Sequence, residues 1–254
     1  MSSQPIPRII HYCWFGGNPL PELAQRCMAS WRKYFPGWEI REWNEENFDV
    51  RAIEYTSQAY DAKKYAFVSD YARFWILYRY GGIYFDTDVE VVRPFDGIVS
   101  AGPYIGCEVD ANDVRDIMVN PGLGVGAVPG MKLYKEMMVH YENASFLKSD
   151  GSCDLTNVVA RTTSMLIPHG LRSVPGIQDV AGMRVYPREY FNPYDYYTGR
   201  VVSTVNTHSI HWYAQSWLPP SPFKDKCRQI IHRIIGRRSL RNMFLPKFLQ
   251  KTNY

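Results

Sequence analysis

Apolar side chains recur every three or four residues through Tyr65, Val68, Ala72, Trp75 and Ile76, and this spacing predicts one long helix. Gly81-Gly82 ends it, and Ile83-Tyr84-Phe85 then has the β-branched and aromatic character of a buried strand, which Val89 to Val92 resumes. Upstream, Arg8 to Phe15 reads as a first strand stopped by Gly16-Gly17, Glu22 to Tyr34 as a helix, Trp38 to Trp43 as an alternating strand and Arg51 to Tyr60 as a further helix. Downstream, strands are expected at Tyr104 to Val109 and Gly122 to Val128, with a helical turn at Asp113 to Met118 between them. Helices follow at Lys132 to Tyr141 and at Leu155 to Ile167, the latter capped by Asp154. Met183 to Tyr197, rich in tyrosine and containing two prolines, reads as loop and edge strand. Strand, helix and strand in this order predict an α/β fold whose parallel strands are joined by helical crossovers.

Where the third strand gives out, Asp86 and Asp88 stand two residues apart, so an extended backbone turns both carboxylates to one side. Convergent carboxylates repel unless a cation lies between them, and Mg²⁺ or Mn²⁺ takes oxygen ligands while leaving positions open for phosphate oxygens. Asp70 and Arg73 lie one turn apart on the preceding helix and point charge toward the same strand end. An isolated Asp-X-Asp is more often a solvated turn than a metal site. Here it follows a hydrophobic strand, and ligands of open α/β sheets bind beyond the carboxyl ends of strands.

The run Ser69-Asp70-Tyr71-Ala72-Arg73, followed by Leu77-Tyr78-Arg79-Tyr80-Gly81-Gly82-Ile83-Tyr84-Phe85-Asp86-Thr87-Asp88, resembles the sugar-nucleotide region of the DXD-containing retaining glycosyltransferases of family 32. That family includes initiating mannosyltransferases and capsular-polysaccharide transferases, with the glucosylating domain of large clostridial toxins as a more distant relative. Pro7, Ile10, His11, Trp14 and Gly16 are similar to its opening pattern, and His211, Ser216 and Trp217 to its closing one. The resemblance implies a GT-A-like single domain with a mixed, mostly parallel sheet flanked by helices. It implies transfer of a hexose, with retention, from a nucleoside diphosphate sugar, a UDP-sugar in the first instance, to a glycan or lipid-linked saccharide of a surface polysaccharide. On it, Asp86, Asp88 and His211 are the expected metal ligands. Asp70 and Arg73 reach the sugar and phosphates, Ser69 lies beside them, Trp14 and Tyr84 form the nucleoside pocket, and Ser216 and Trp217 face the leaving phosphate. Local evidence alone makes Trp14 a core residue and leaves Asn120 as a weak candidate for sugar contact, while His11 is expected to be structural, beneath the site. A carboxylate-metal phosphohydrolase and a noncatalytic carbohydrate- or membrane-binding protein are the competing readings.

The 254 residues, 46% hydrophobic and 21% charged, suit one α/β domain. Five scattered cysteines, with no C-x-x-C pair, argue against a disulfide framework or structural zinc. With no signal-peptide pattern and no long apolar run, the expected location is cytoplasmic. Charge changes the picture only at the end of the chain. Residues 223–254 carry nine Lys and Arg against one Asp, a net of +8, which leaves −4 on the rest of a chain whose total is +4. Cys227, Ile230, Ile231, Ile234 and Ile235 recur at helical spacing opposite the basic residues. We therefore divide the chain into a catalytic domain, 1–218, and a basic amphipathic helical tail, 219–254, peripheral on an anionic membrane surface or packed on the domain. No aromatic-interleaved or recognised module accompanies this charge, so no nucleic-acid partner is expected.

Overall fold

A computed structural model describes residues 4–112 and 116–214. The expected tail, together with Ser216 and Trp217, lies outside the described residues. The first half contains β1 (Ile9–Cys13), α1 (Glu22–Tyr34), β2 (Glu39–Trp43), α2 (Glu54–Asp61), α3 (Tyr65–Tyr80), β3 (Gly82–Tyr84), β4 (Val89–Val91) and α4 (Asp96–Ser100). It is followed by β5 (Tyr104–Val109), β6 (Met118–Asn120), β7 (Val125–Ala127), α5 (Lys132–Glu142), α6 (Val158–Leu166), β8 (Gln178–Val180), β9 (Met183–Tyr186), β10 (Tyr194–Asp195), β11 (Arg200–Val201) and β12 (Ser209–His211).

The main sheet has the order β2-β1-β3-β7-β5-β9-β8, with β6 also paired to β5. Strands β1, β2, β3, β5 and β9 run one way and β6, β7 and β8 the other, so the sheet is mixed with a parallel majority. Two small ribbons stand apart, β10-β11 and β12-β4. Side chains alternate across the sheet as the two-residue period of a strand requires. Ile10, Tyr12, Ile83 and Phe85 meet Cys27, Met28 and Trp31 of α1 on one face. Tyr84, Val125 and Ala127 meet Val68, Ala72 and Ile76 of α3 on the other.

Several boundaries differ from the sequence expectation, each for a local reason. Helix α2 starts at Glu54 rather than Arg51, because the Asp49 side chain takes the Arg51 N–H at 2.9 Å in a turn and Ile53 is extended. Helix α6 is capped by Asn157, whose side chain accepts from the Ala160 N–H. Asp154 is not the cap; it accepts from the Thr156 N–H and pairs with Arg161. The β9 segment is not an edge, since it lies between β5 and β8. Met118 opens a strand where a helical turn was expected; residues 113–115 are outside the described region.

The turn from α3 into β3 runs over His11. Gly81 and Gly82 both have positive φ, and a Cβ on Gly82 would sit 2.6 Å from the Ile9 carbonyl and 3.0 Å from His11 Nε2. Only glycine fits a chain that both turns left-handed and passes this close. His11 is fully buried, its Nε2–H donating to the Gly81 carbonyl at 2.9 Å and its Nδ1 accepting from Trp43 Nε1–H at 3.1 Å. Burial drives its pKa from 6.5 down to about 4, with the Gly81 hydrogen bond resisting. His11 is thus a neutral strut beneath the strand ends. The unfolded chain takes up a proton near pH 6.5 that the native state refuses until about pH 4, so stability falls as pH drops through that window. Urea denaturation should show His11 contributing a loss of about 3 kcal/mol between pH 7 and pH 4. The His11→Gln variant should lose that part of the slope, and identical slopes in the two proteins would refute the assignment.

Candidate active site

Helix α3 brings Asp70 and Arg73 to the face of β3 on which Tyr84, and two residues later Asp86, point. Both helix residues are buried. Arg73 Nη2 donates to Asp70 Oδ1 at 3.0 Å and lies 3.4 Å from Asp86 Oδ1, while Nε donates to the Ser69 carbonyl at 3.2 Å. The guanidinium lies 4.8 Å from the centre of the Tyr84 ring. Nη1 is buried without a hydrogen-bond partner among the described residues. Burial works against the guanidinium's charge, but Asp86 leads the groups that keep it protonated. Burial also pushes the Asp70 carboxyl up to about 7, against the pull of Arg73. Tyr84, expected as a wall of the nucleoside pocket, is instead buried beneath Arg73. The Ser69 hydroxyl is turned back to the Tyr65 carbonyl, so only its own carbonyl serves this cluster.

Asp86 has an open side and a closed one. Its side chain keeps 30% of its surface exposed, against 13% for Asp88. On the closed side the β6–β7 connection passes so near that a Cβ on Gly122 would sit 1.9 Å from Asp86 Oδ2. The Gly122 carbonyl accepts the Asp86 N–H at 3.1 Å, and its N–H donates to Asn120 Oδ1 at 2.7 Å. Asn120, considered as a sugar contact, is buried with its amide on Glu108 Oε2 at 2.8 Å and acts as a bracket for this connection. The close approach of Gly122 to Asp86 had no local signal in the sequence.

The backbone at Asp86 and Asp88 is not extended. It closes a turn in which the Val89 N–H donates to the Asp86 carbonyl at 3.1 Å, and the two carboxylates take different partners. Asp88 Oδ1 lies 3.1 Å from His211 Nε2. Its Oδ2 accepts the Ala214 N–H at 2.7 Å, and its carbonyl accepts the Trp212 N–H at 3.0 Å. Strand β12 delivers His211 by pairing with β4, where His211 lies opposite Val89. Tyr213 follows with φ +51, an uncommon value for a bulky residue, and sets its ring edge-on to His211 with 4.3 Å between centroids. Burial opposes charge on both Asp88 and His211. Their mutual attraction outweighs it, holding the carboxyl below and the imidazole above their ordinary values.

Trp14 leaves the end of β1 half-buried, its indole N–H on the Asn18 carbonyl at 2.6 Å. Because His11 pairs with Tyr84 in parallel register, the ends of β1 and β3 emerge side by side. This places Trp14 at the same sheet end as Asp86 and Arg73. His208 hydrogen-bonds the Pro94 carbonyl, away from Asp88.

Among the described residues no three His, Cys, Asp or Glu side chains are gathered to hold an ion, and His211, expected as a third ligand, has its Nε2 3.1 Å from Asp88 Oδ1. The donor chemistry nevertheless fits a hard divalent cation at Asp86 and Asp88, because Asp86 is open to solvent on one side and both supply carboxylate oxygens.

Residues 21–104 match the family described as "Glycosyltransferase sugar-binding region containing DXD motif". Inositol phosphoceramide mannosyltransferase 1 of Schizosaccharomyces pombe is 32% identical over 111 residues, covering 39% of this chain and 33% of the relative. Inositol phosphoceramide mannosyltransferase 3 of the same organism is 35% identical over 105 residues, covering 38% of this chain and 28% of the relative. The chain thus spans a third or less of the length of these curated relatives. Among solved structures, the glycosyltransferase PaToxG has a TM-score of 0.46 at 16% identity, covering 65% of this chain and 70% of its own. A glycosyltransferase involved in the glycosylation of the major capsid of PBCV-1 has a TM-score of 0.42 at 12% identity, covering 73% and 85%. The mixed, mostly parallel sheet with flanking helices is the architecture the sequence predicts. The match of residues 21–104 to this sugar-binding region takes in Asp70, Arg73 and the Asp86-Thr87-Asp88 tripeptide.

Proposed function

We propose that this chain transfers a hexosyl group from a nucleoside diphosphate sugar to a hydroxyl of a glycan or lipid-linked saccharide, and that it does so with Mg²⁺ or Mn²⁺. The observation that carries the reading is the pairing at one sheet end of a buried arginine with Asp70 and Asp86, and of Asp88 with His211. The matched relatives are named as mannosyltransferases acting on inositol phosphoceramide, which supports mannose as a donor sugar beside the UDP-hexoses suggested by the motif.

Departure of the nucleoside diphosphate is the difficult step, since charge builds on its β-phosphate. A divalent ion held by Asp86 and Asp88 would neutralise that charge as it develops. Arg73 stays protonated beside Asp86 at this sheet end, where its charge favours the sugar and phosphates of the donor. Asp70 anchors Arg73 and reaches toward the sugar hydroxyls. Trp14 offers a ring at the mouth for the base. His211, buried against Asp88, keeps that carboxylate fixed in place. Retention of anomeric configuration comes with the family resemblance, and no covalent nucleophile is assigned.

Two measurements test the reading. Asp88→Ala should lower transfer by about 10²-fold or more and remove its dependence on added Mn²⁺. Full transfer by that variant in the presence of a chelator would eliminate the metal-assisted route. The second concerns Gly122, where an added methyl meets the Asp86 carboxylate at 1.9 Å. Gly122→Ala should weaken Mn²⁺-dependent nucleotide binding, read by titration calorimetry against UDP and GDP, by about tenfold or more. Its stability cost should stay within about 1–3 kcal/mol. Wild-type affinity in the variant would show that the position of Asp86 does not matter. Nucleotide binding by the wild type that is indifferent to metal would favour a noncatalytic binding protein.

A further inference from the structure

Between the β10-β11 hairpin and β12 the chain exposes a run of apolar side chains. Val205 is 83% exposed, Val202 66%, Tyr197 50% and Val201 39%. Single exposed apolar residues are ordinary on a protein surface; four within nine residues concentrate apolar surface on this hairpin and the loop after it. It is bordered by cations. Arg200 is exposed in β11, and the exposed Arg93 donates from Nη1 to the Val205 carbonyl. The neighbouring acids are tied inward, Asp195 accepting the Tyr197 and Thr198 N–H groups and Glu189 the Asn206 amide.

The patch adjoins the active centre through a line of rings. Tyr196 lies 5.9 Å from Tyr213, and Tyr213 4.3 Å from His211, which bonds Asp88. Tyr194 meets Trp212 at 5.4 Å. The same line leads to Ala214, whose N–H donates to Asp88 Oδ2. Exposed aliphatics, tyrosines and two arginines therefore share this side of the molecule.

We propose that this face, built on Tyr197, Val201, Val202 and Val205 and flanked by Arg93 and Arg200, docks on an anionic lipid bilayer. Aliphatic side chains at such a face enter the boundary between headgroups and acyl chains, tyrosine sits at headgroup level, and arginine meets anionic headgroups. A second copy of the chain is a poorer occupant. A twofold contact through this patch would bring Arg93 and Arg200 toward their own equivalents, and like charges facing each other oppose association. The lipid surface supplies the opposite sign. Docking there would set the mouth of the sugar site against the bilayer, within reach of an acceptor held in it. The docking itself does not depend on the transferase reading, because it is measured without any sugar donor.

The test is co-sedimentation of the full chain with vesicles of phosphatidylcholine mixed with phosphatidylserine, and with vesicles of phosphatidylcholine alone. Wild type should bind the anionic vesicles and not the neutral ones. V202N/V205N, which adds no charge at sites far from Asp86 and Asp88 in sequence, should lower partitioning by about tenfold. V202I/V205I should retain it, with overlapping circular dichroism spectra for all three proteins. Unchanged partitioning of V202N/V205N, equal binding to neutral vesicles, or a wild-type dimer that this variant splits into monomers would each overturn the proposal.

Discussion

A guanidinium taken out of water must find negative charge, and the molecule is arranged so that Arg73 finds it twice. Asp70 on its own helix and Asp86 beyond the neighbouring strand share one nitrogen, Nη2, and the Tyr84 ring lies against the guanidinium. Removing one partner from a buried pair of this kind typically costs about 3–5 kcal/mol, because the other is left charged and unsolvated. The constraint fixes which face of α3 meets β3. It also brings a carboxylate to a strand end where nothing apolar would place one. Asp86 would lose that position if the chain at Gly122 carried a side chain.

The parallel alignment of β1, β2 and β3 gives these contacts a common outlet. Strand ends that emerge side by side bring together residues distant in sequence, here Trp14, Arg73 and Asp86, at the edge where α/β sheets hold ligands. The neutral, buried His11 belongs to the same device. By joining the Gly81 carbonyl to the Trp43 indole it clamps β1, β2 and the α3–β3 turn beneath that edge. Its value is mechanical, and a charge there would spoil it.

Most of this was legible in the sequence. The three- and four-residue rhythm of α3, the glycine pair that ends it and the two-residue alternation of β3 placed Asp70, Arg73 and Asp86 together, because each is a local pattern with a local cause. The turn at Asp86 to Asp88 was not legible, since an extended strand and a tight turn both tolerate Asp-Thr-Asp, and the Val89 N–H decides between them. Nor was the burial of Tyr84, because aromatic residues near a site look alike whether they face a ligand or brace an arginine. The direct bond from His211 to Asp88 depends on β12 returning to β4 across more than a hundred residues, and no periodicity spans such a distance. Asp154 and Asn157 both have capping side chains, and only the competing pull of Arg161 on Asp154 selects the second.

That long return has a consequence for how the molecule comes into being. The stretch of chain matched to the sugar-binding family ends at residue 104, yet β4, which lies inside it, pairs with residues 209–211. While a ribosome is still making the intervening hundred residues, β4 presents an unsatisfied edge and Asp88 lacks both its imidazole and its amide partner. An open strand edge invites pairing with other chains. The Asp-Thr-Asp motif is therefore synthesised long before the strand that completes it, and the protection of that edge falls to whatever attends the nascent chain.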